Sequence, residues 1–521
     1  MVRQQRAHDI GTRIAIMAAV CAVALAGCSA GSPQSDKAVG PTNGGNLAPP
    51  ATPDALVPNA GRVEAGRSAT AAGEIPTEEQ PVSTFAMDID TASYGYAKRQ
   101  LVDGRRPNRD TIRPEEFVNA FRQDYREPPG NGFAVSTDGA RFPQTHRGYD
   151  PGSARLMRVG LQTRAEPATQ RKDAALTFVI DVSGSMAEPG KLDLVQDALR
   201  ALVDQLRPTD SVAIVAYSDQ ATVIRRMTPA RDRAGLRDAV DGLRAAGSTN
   251  LEAGLRLGYA TARQGFRDGI TNRVILLSDG LPNVGNTSAD PILREVREAA
   301  AKQISLLGVG VGSDYGDAFM EELADKGDGF VVYVNDTASA KRVFVERLPA
   351  NLAVRALDAK AQVVFDAAVV TSYRLIGYEN RTLDASAFRD DRVDGGEVGP
   401  GHAVTALYAL HLRPAAVEAG VEGRVAEVRV RWLDPVSRRA TEETLPVTVA
   451  DLDRTFEAAA ARLHVCYAAA YFAETLRSSQ FGAEVRLTEL AQIARRARNA
   501  TDDGDVGELA DLIGRAAPYV N

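Results

Sequence analysis

Three separate segments of the chain carry oxygen-bearing side chains where buried strands are predicted to end. One reads Asp181-x-Ser183-x-Ser185, and the other two hold Thr249 and Asp279. In open α/β sheets, ligands bind beyond the carboxyl ends of the strands. We therefore expect the three segments to be loops that converge at one edge of a sheet.

These five side chains offer two carboxylates and three hydroxyls, without a thiol or an imidazole. Such hard oxygen donors suit Mg²⁺, with Ca²⁺ or Mn²⁺ as possible substitutes. One coordination position could stay open for the carboxylate of a partner, which an under-neutralised ion attracts strongly. The alternative is that these are turn and capping residues, because Ser, Thr, Asp and Gly all favour turns. Turn formation alone would easily explain one such loop, but three such loops together make that explanation a minor possibility.

The elements that must position these loops lie between residues 175 and 348, where strand and helix patterns alternate. The apolar run 176–180 is typical of a strand covered on both faces. Thr228-Pro229 has the form of a helix start, with a capping residue followed by proline. The alternation predicts an α/β fold with a doubly wound, mostly parallel sheet and helices on both faces.

With all five positions present in order, the sequence resembles the metal-ion-dependent adhesion site of von Willebrand factor type A (VWA) domains. The resemblance implies that Ser183, Ser185 and Thr249 bind the cation directly. It also implies that Asp181 and Asp279 act largely through water.

The flanking segments resemble YfbK-type VWA lipoproteins. The resemblance lies in the stretch Ser83-Thr-Phe-Ala-Met-Asp-Ile-Asp-Thr-Ala-Ser-Tyr94, in Arg113-Pro-Glu-Glu-Phe117, in Asp124-Tyr125 and in the chain from residue 349 onward. It implies an architecture for the whole chain after residue 80 rather than a particular function.

Residues 1–27 have the form of a secretory signal, with a charged region followed by the apolar run 14–26. The run ends in Leu-Ala-Gly-Cys28, which resembles the bacterial lipobox and implies cleavage before Cys28 and acylation of that residue. Ser29 follows, so the resemblance favours the periplasmic face of the outer membrane if the cell is Gram-negative. The alternative is an ordinary signal peptide with an incidental cysteine.

Residues 28–80 are rich in Pro, Gly, Ala and Ser, and cannot bury enough apolar surface to offset their ordering entropy. The β-rich stretches 131–163 and 349–450 abut the two ends of the α/β unit, so we expect them to pair into one companion domain. The predicted segments are the lipoprotein signal peptide 1–27, a flexible tether 28–80, a YfbK-type N-terminal segment 81–174, the VWA domain 175–348, a β-rich C-terminal region 349–450 and a helical region 451–521.

The composition excludes several classes of protein. Of the 521 residues, 44% are hydrophobic and 25% charged, as is ordinary for a globular chain. The formal net charge is −7 and no long basic run is present, which argues against nucleic-acid binding. Three cysteines cannot form a disulfide framework. Cys466 lies in an apolar helical pattern and is predicted to be buried and inert.

Two motifs point to enzymes, but each lacks its partners. Asp88-Ile-Asp90-Thr91 copies the DxDT of haloacid-dehalogenase-like phosphatases, without the lysine and acids that such chemistry needs on later strands. We interpret it as an Asx turn or helix cap. Ser183 and Ser185 do not lie in a GxSxG motif, and none of the histidines falls within the α/β unit.

The sequence therefore predicts a lipid-anchored cell-envelope protein that is not an enzyme. Its VWA domain is expected to bind Mg²⁺ and to recruit an acidic side chain of a protein partner. The alternatives are an envelope hydrolase or phosphatase, and a scaffold whose metal only stiffens the loops.

Overall fold

The structure, a computed structural model, describes residues 73–87, 89–166, 170–280, 289–312, 317–334, 336–347, 352–391, 393, 395–418 and 423–520. The predicted signal peptide, Cys28, most of the predicted tether and Asp88 lie outside these residues. The boundary predicted for the tether at residue 80 is wrong, because Ile75 and Pro76 already form a strand that pairs with Tyr373 and Ser372.

Strands and helices alternate in the middle of the described chain, and mostly strands, then helices, follow it. The strands are β1 Ile75–Pro76, β2 Val82–Ala86, β3 Phe133–Arg141, β4 Ala154–Thr163, β5 Ala174–Asp181, β6 Ser211–Tyr217, β7 Ala221–Pro229, β8 Thr271–Ser278, β9 Ile304–Val311, β10 Phe330–Val334, β11 Ala356–Phe365, β12 Val370–Ile376, β13 Thr382–Leu383, β14 Gly396–Val398, β15 Ala403–Leu412, β16 Arg424–Leu433 and β17 Ala440–Thr448. The α-helices are α1 Ala92–Val102, α2 Pro114–Asn119, α3 Leu192–Gln205, α4 Arg233–Asp241, α5 Leu251–Gln264, α6 Ala289–Ala300, α7 Asp317–Asp325, α8 Thr337–Lys341, α9 Pro414–Glu418, α10 Val449–Leu452, α11 Ala461–Leu476, α12 Leu487–Thr501 and α13 Gly504–Ala516.

The central sheet has the order β10-β9-β8-β5-β6-β7, and every neighbouring pair is parallel except β6 with β7. Its strands β5 and β6 are buried along their whole length because an apolar core lies on each face of the sheet. Parallel strands need crossover connections, and helices supply them. The predicted doubly wound α/β fold is confirmed.

The prediction that a helix begins at Thr228-Pro229 is wrong. These two residues end β7, where Pro229 pairs with Ser211 across the antiparallel ladder. The helix begins instead at Arg233, and Asp232 caps it by accepting a hydrogen bond from the Gly235 amide. Proline is tolerated here because it sits at the end of an edge strand.

Two further sheets build the rest of the fold, with the orders β1-β12-β15-β4-β3 and β13-β2-β11-β16-β17. β4 precedes the central sheet in the chain and β15 follows it, yet the two pair in one continuous antiparallel ladder. The expectation that the two flanking β-rich stretches pair is thus confirmed. A shared apolar core joins side chains of both sheets, including Phe85, Met157 and Tyr408.

The C-terminal helices cover the other face of the sheet that contains β4. α11 is buried on almost every side, as expected of a central helix. Cys466 on this helix is fully buried, which confirms the prediction, and burial raises the pKa of its thiol to about 11. Among the helices of the described residues, none combines the length and apolar character needed to cross a membrane.

Asp90 joins the N-terminal segment to the free edge of the central sheet. Its Oδ1 accepts a hydrogen bond of 2.7 Å from the amide of Val331 on β10, and its Oδ2 lies 3.3 Å from Arg381. At Asp90 the structural role predicted for the DxDT motif is a tertiary contact, and the turn or cap predicted there is not tested at Asp88, which lies outside the described residues. The N-cap of α1 is Thr91, without a side-chain cap bond, while Asp90 instead satisfies a strand-edge amide that needs an acceptor.

Candidate functional site

Parallel pairing brings two of the predicted loops together. β5 ends at Asp181 and β8 ends at Ser278, and the two strands are neighbours with Ile180 opposite Leu277. The residues that follow each strand must therefore meet at the same edge. Asp279 is the first of these after β8, and Ser183 and Ser185 are among those after β5.

The first loop forms a chain of close oxygen contacts with Asp279. The Ser183 and Ser185 hydroxyl oxygens lie 3.2 Å apart, and Ser185 Oγ donates to Asp279 Oδ1 at 3.0 Å. Asp181 joins the group through its Oδ1, which accepts a 2.9 Å bond from the Ser183 amide. Neighbouring ligands of an octahedral Mg²⁺ are about 3.0 Å apart when each is roughly 2.0–2.1 Å from the ion. The two observed spacings fit that geometry.

The loop with Thr249 is bonded directly to the first loop. The Gly184 amide donates to Gly247 O at 2.9 Å, and the Ala246 amide donates to Val182 O at 2.7 Å. Thr249 is only 5% exposed and precedes Asn250, the N-cap of α5. The structure thus brings the loop that carries Thr249 against the loop that carries Ser183 and Ser185.

Gly247 is essential to that loop because its φ is +81°, and a Cβ there would overlap the carboxylate of Asp219. Asp219 in turn accepts a 3.0 Å hydrogen bond from the Ser248 amide. These two residues position Thr249 without being candidate ligands, and the sequence analysis missed both.

The Asp181 carboxylate is held by buried polar side chains. Its Oδ2 accepts hydrogen bonds from Ser278 Oγ at 2.9 Å and from Tyr217 OH at 3.2 Å. Burial raises the pKa of the Asp181 carboxyl, although hydrogen bonds from Ser183 and Ser278 oppose the rise. Burial also raises the pKa of Tyr217 well above its usual range, so its hydroxyl remains a donor. A bound cation would favour the ionised form of Asp181.

Lys191 was also missed, and it contacts the site directly. Its Nζ lies 2.9 Å from Asp279 Oδ2 and 2.9 Å from Glu188 Oε2. Burial lowers the pKa of this ammonium group, but hydrogen bonds to the two carboxylates outweigh it and leave the pKa raised. Lys191 is the N-cap of α3, where the helix dipole disfavours positive charge. A lysine at the predicted start of a helix is visible in the sequence, and this mismatch could have identified Lys191 as a residue with another role.

The site opens to solvent on one side. Asp181, Ser183 and Asp279 are buried, whereas Ser185 is exposed. A groove of about 480 Å³ starts beside the Thr249 loop and runs along α5, and its lining includes Asp219, Asn250, Ala253 and Leu257. A larger cavity of about 780 Å³ lies elsewhere, and none of the five predicted metal-site residues lines either the groove or this cavity.

Three family models match parts of this chain. Residues 350–518 match the family described as "Uncharacterized protein YfbK, C-terminal", residues 175–346 match "von Willebrand factor type A domain", and residues 67–148 match "von Willebrand factor". A relative from Escherichia coli (strain K12), "Uncharacterized protein YfbK", is 32% identical over 426 residues, which cover 77% of this chain and 72% of the relative.

Two solved structures are also similar. A von Willebrand factor type A protein from Catenulispora acidiphila has a TM-score of 0.43 and 17% identity over 73% of this chain and 89% of that one. Proximal thread matrix protein 1 from the mussel byssus, solved with zinc in its MIDAS motif, has a TM-score of 0.29 and 22% identity over 34% of this chain and 45% of that one. The matched families and the bacterial relative show the family to which this chain belongs. The chain belongs to the YfbK family of VWA-domain proteins.

Proposed function

We propose that this protein binds one divalent cation at the edge of its central sheet and uses it to hold a protein partner. The observation that carries the proposal is the oxygen spacing of 3.2 and 3.0 Å along Ser183, Ser185 and Asp279. The hydroxyl of Thr249 and the carboxylate of Asp181 complete the donor set. Mg²⁺ is the first candidate because every donor is a hard oxygen, and Mn²⁺ or Ca²⁺ can replace it.

The partner is proposed to supply an acidic side chain. A site with only two carboxylates leaves a divalent ion under-neutralised once Lys191 has paired with one of them. Ser185 is exposed, which gives a carboxylate access to the site from solvent. A metal-bridged carboxylate would account for recognition that depends on the cation.

A binding role is favoured over catalysis by what surrounds the candidate nucleophiles. The histidines of the described residues lie in other environments: His146 among aromatic rings, His402 against Phe330, His411 beside Glu74 and His464 at Phe456 O. No imidazole is thus placed as a general base for Ser183 or Ser185 in the described part of the chain. Asp90 of the DxDT motif is engaged by Val331 and Arg381.

We also propose that acylation of Cys28 anchors the protein in the bacterial cell envelope. The support is the sequence alone, because Cys28 lies outside the described residues. Replacement Cys28→Ser is expected to move the protein from the membrane fraction to the soluble fraction of the cell. Retention of the variant in the membrane fraction would contradict lipid anchoring and leave the metal site untouched.

The metal site is tested by isothermal titration of the full chain with MgCl₂ and MnCl₂. Asp279→Asn and Ser183→Ala are expected to lose binding, whereas Asp238→Asn, on the exposed face of α4, should bind as the unaltered protein does. Absence of binding by the folded unaltered chain would refute the proposal.

The partner is tested by capture from solubilised envelope extract. We expect a protein that binds the immobilised full chain in Mg²⁺, is released by EDTA, and fails to bind Asp279→Asn. Blocking carboxyl groups of the extract with a carbodiimide and an amine should also abolish capture. Metal-dependent melting without any metal-dependent partner would favour the scaffold alternative.

A further inference from the structure

Lys191 places a fixed positive charge inside the group of candidate metal ligands. Its ammonium lies 2.9 Å from Asp279 Oδ2, while the other oxygen of that carboxylate accepts from Ser185. The side chains of Lys191 and Asp279 are only 5% and 3% exposed. This is a buried ion pair that shares one carboxylate with the proposed metal.

The lysine is held there by its surroundings. Gly312 follows β9 with φ +86°, and a Cβ at that position would lie 2.8 Å from Lys191 Cε. The glycine therefore leaves the space through which the lysine stem passes. Helix capping does not explain the placement, because a cation at the N-terminus of α3 opposes the helix dipole.

The charges then decide how the site responds to a cation. Without metal, Lys191 neutralises Asp279, so the carboxylate is not left buried and unpaired. With a divalent ion present, the ammonium and the ion repel one another across a short, poorly solvated distance. Glu188, whose side chain is 63% exposed, is also 2.9 Å from Nζ and offers the displaced ammonium a second acceptor.

We propose that Lys191 is a built-in counter-ion that competes with the divalent cation for Asp279 and so keeps the metal affinity low. This rests on the proposed function. Among the buried groups, the two carboxylates and the ammonium leave a bound divalent ion with one positive charge in excess. The Glu188 carboxylate is exposed and screened by solvent, so it offsets only part of that charge, and an incoming carboxylate at the ion removes the rest. The cation and an acidic ligand therefore strengthen each other's binding.

The test is isothermal titration of Mg²⁺ and Mn²⁺ into the full chain and into Lys191→Met and Lys191→Gln. Removing the ammonium should tighten cation binding by about tenfold or more, because one charge is deleted close to the ion. Lys98→Met is the matched control, since Lys98 is also largely buried and paired with two carboxylates, Asp336 and Glu508, away from the site. It should leave the affinity unchanged.

A second measurement separates competition from simple loss of structure. In EDTA, Lys191→Met should melt at a lower temperature than the unaltered chain, and Mg²⁺ should raise its melting temperature by more than it raises that of the unaltered chain. Lys191→Gln keeps a hydrogen-bond donor for Asp279 and serves if the methionine variant does not fold. Equal or weaker cation binding by the folded lysine variants would overturn the inference. Binding by none of the folded proteins, the unaltered chain included, would overturn the proposed function itself.

Discussion

Ser185 Oγ donates a hydrogen bond of 3.0 Å to Asp279 Oδ1, although 94 residues separate the two in the chain. The contact exists because β5 and β8 are parallel neighbours whose carboxyl ends share an edge. It brings together side chains from two loops, while backbone bonds tie the Thr249 loop to the first of them. The candidate site is thus a direct consequence of sheet topology.

Gly247→Ala should weaken Mg²⁺ binding. A Cβ at φ +81° is strained and would displace the Asp219 carboxylate, which holds the Ser248 amide, so the loop that carries Thr249 loses support. We expect a loss of at least about tenfold in affinity, equivalent to ~1.4 kcal/mol, by isothermal titration.

Gly269→Ala is the control for that variant, since Gly269 also has a positive φ of +75° but has open space around it. It should lower the free energy of unfolding by roughly 1 kcal/mol and leave the Mg²⁺ affinity unchanged. Equal affinities of the two glycine variants would show that the Asp219 contact does not position Thr249.

Sequence patterns were sufficient for the central sheet and for the meeting of the loops that carry the candidate ligands. The buried run of β5 and the loop residues after it have strong local signatures. Parallel pairing of β5 with β8 then brings their loops to the same edge of the sheet. Local patterns failed where a tertiary contact decided the outcome. Thr228-Pro229 has the local form of a helix start, but pairing with β6 keeps it in a strand.

Two contacts that the sequence did not predict join residues far apart in the chain. Lys191 meets Asp279 from 88 positions away, and Asp90 meets Val331 from 241 positions away. No local pattern encodes such pairs. Only the mismatch of a lysine with a helix N-terminus is visible in the sequence itself.

Glu474→Ala should destabilise the fold strongly. Glu474 is fully buried, with Arg374 at 2.9 Å and Arg477 at 2.8 Å, and its removal leaves two arginines without their shared carboxylate. We expect a loss of about 3–5 kcal/mol in the free energy of unfolding, measured in urea.

Glu442→Ala is the matched change in an exposed pair, because its partner Arg389 is 62% exposed. It should lower the free energy of unfolding by less than about 1 kcal/mol. Similar losses for the two glutamate variants would contradict a structural role for the buried network.

Asp90→Ala should loosen the contact between the N-terminal segment and the edge of the central sheet. The Val331 amide loses its acceptor, and Arg381 loses a carboxylate. We expect a destabilisation of about 1–3 kcal/mol and faster hydrogen exchange at Val331. Unchanged exchange at that amide would contradict the assigned role, and Asp103→Ala, in an exposed ion pair, serves as the control.

Stability should fall in mild acid because of two shielded histidines. Burial lowers the pKa of His146 and of His402 to about 3, helped by nearby arginines. Between that value and the ordinary pKa near 6.5, the unfolded chain binds protons that the folded chain does not. The free energy of unfolding therefore decreases as the pH falls through this window, and neither histidine contributes above it.

Urea unfolding at pH 7.5 and 5.0 checks this expectation. Each histidine should account for about 2 kcal/mol of the loss between the two pH values. His146→Gln and His402→Gln should each lose correspondingly less stability over the same interval. A loss as large as that of the unaltered chain in both variants would rule out these histidines as its source.

The central claim is tested most directly by a crystal structure of the full chain grown with MnCl₂ and measured at the manganese absorption edge. We predict one anomalous peak among Ser183, Ser185 and Thr249, with the hydroxyl oxygens as direct ligands and Asp279 on the same ion, directly or through water. A site with ordered loops and no peak, or an ion bound only elsewhere, would contradict the account.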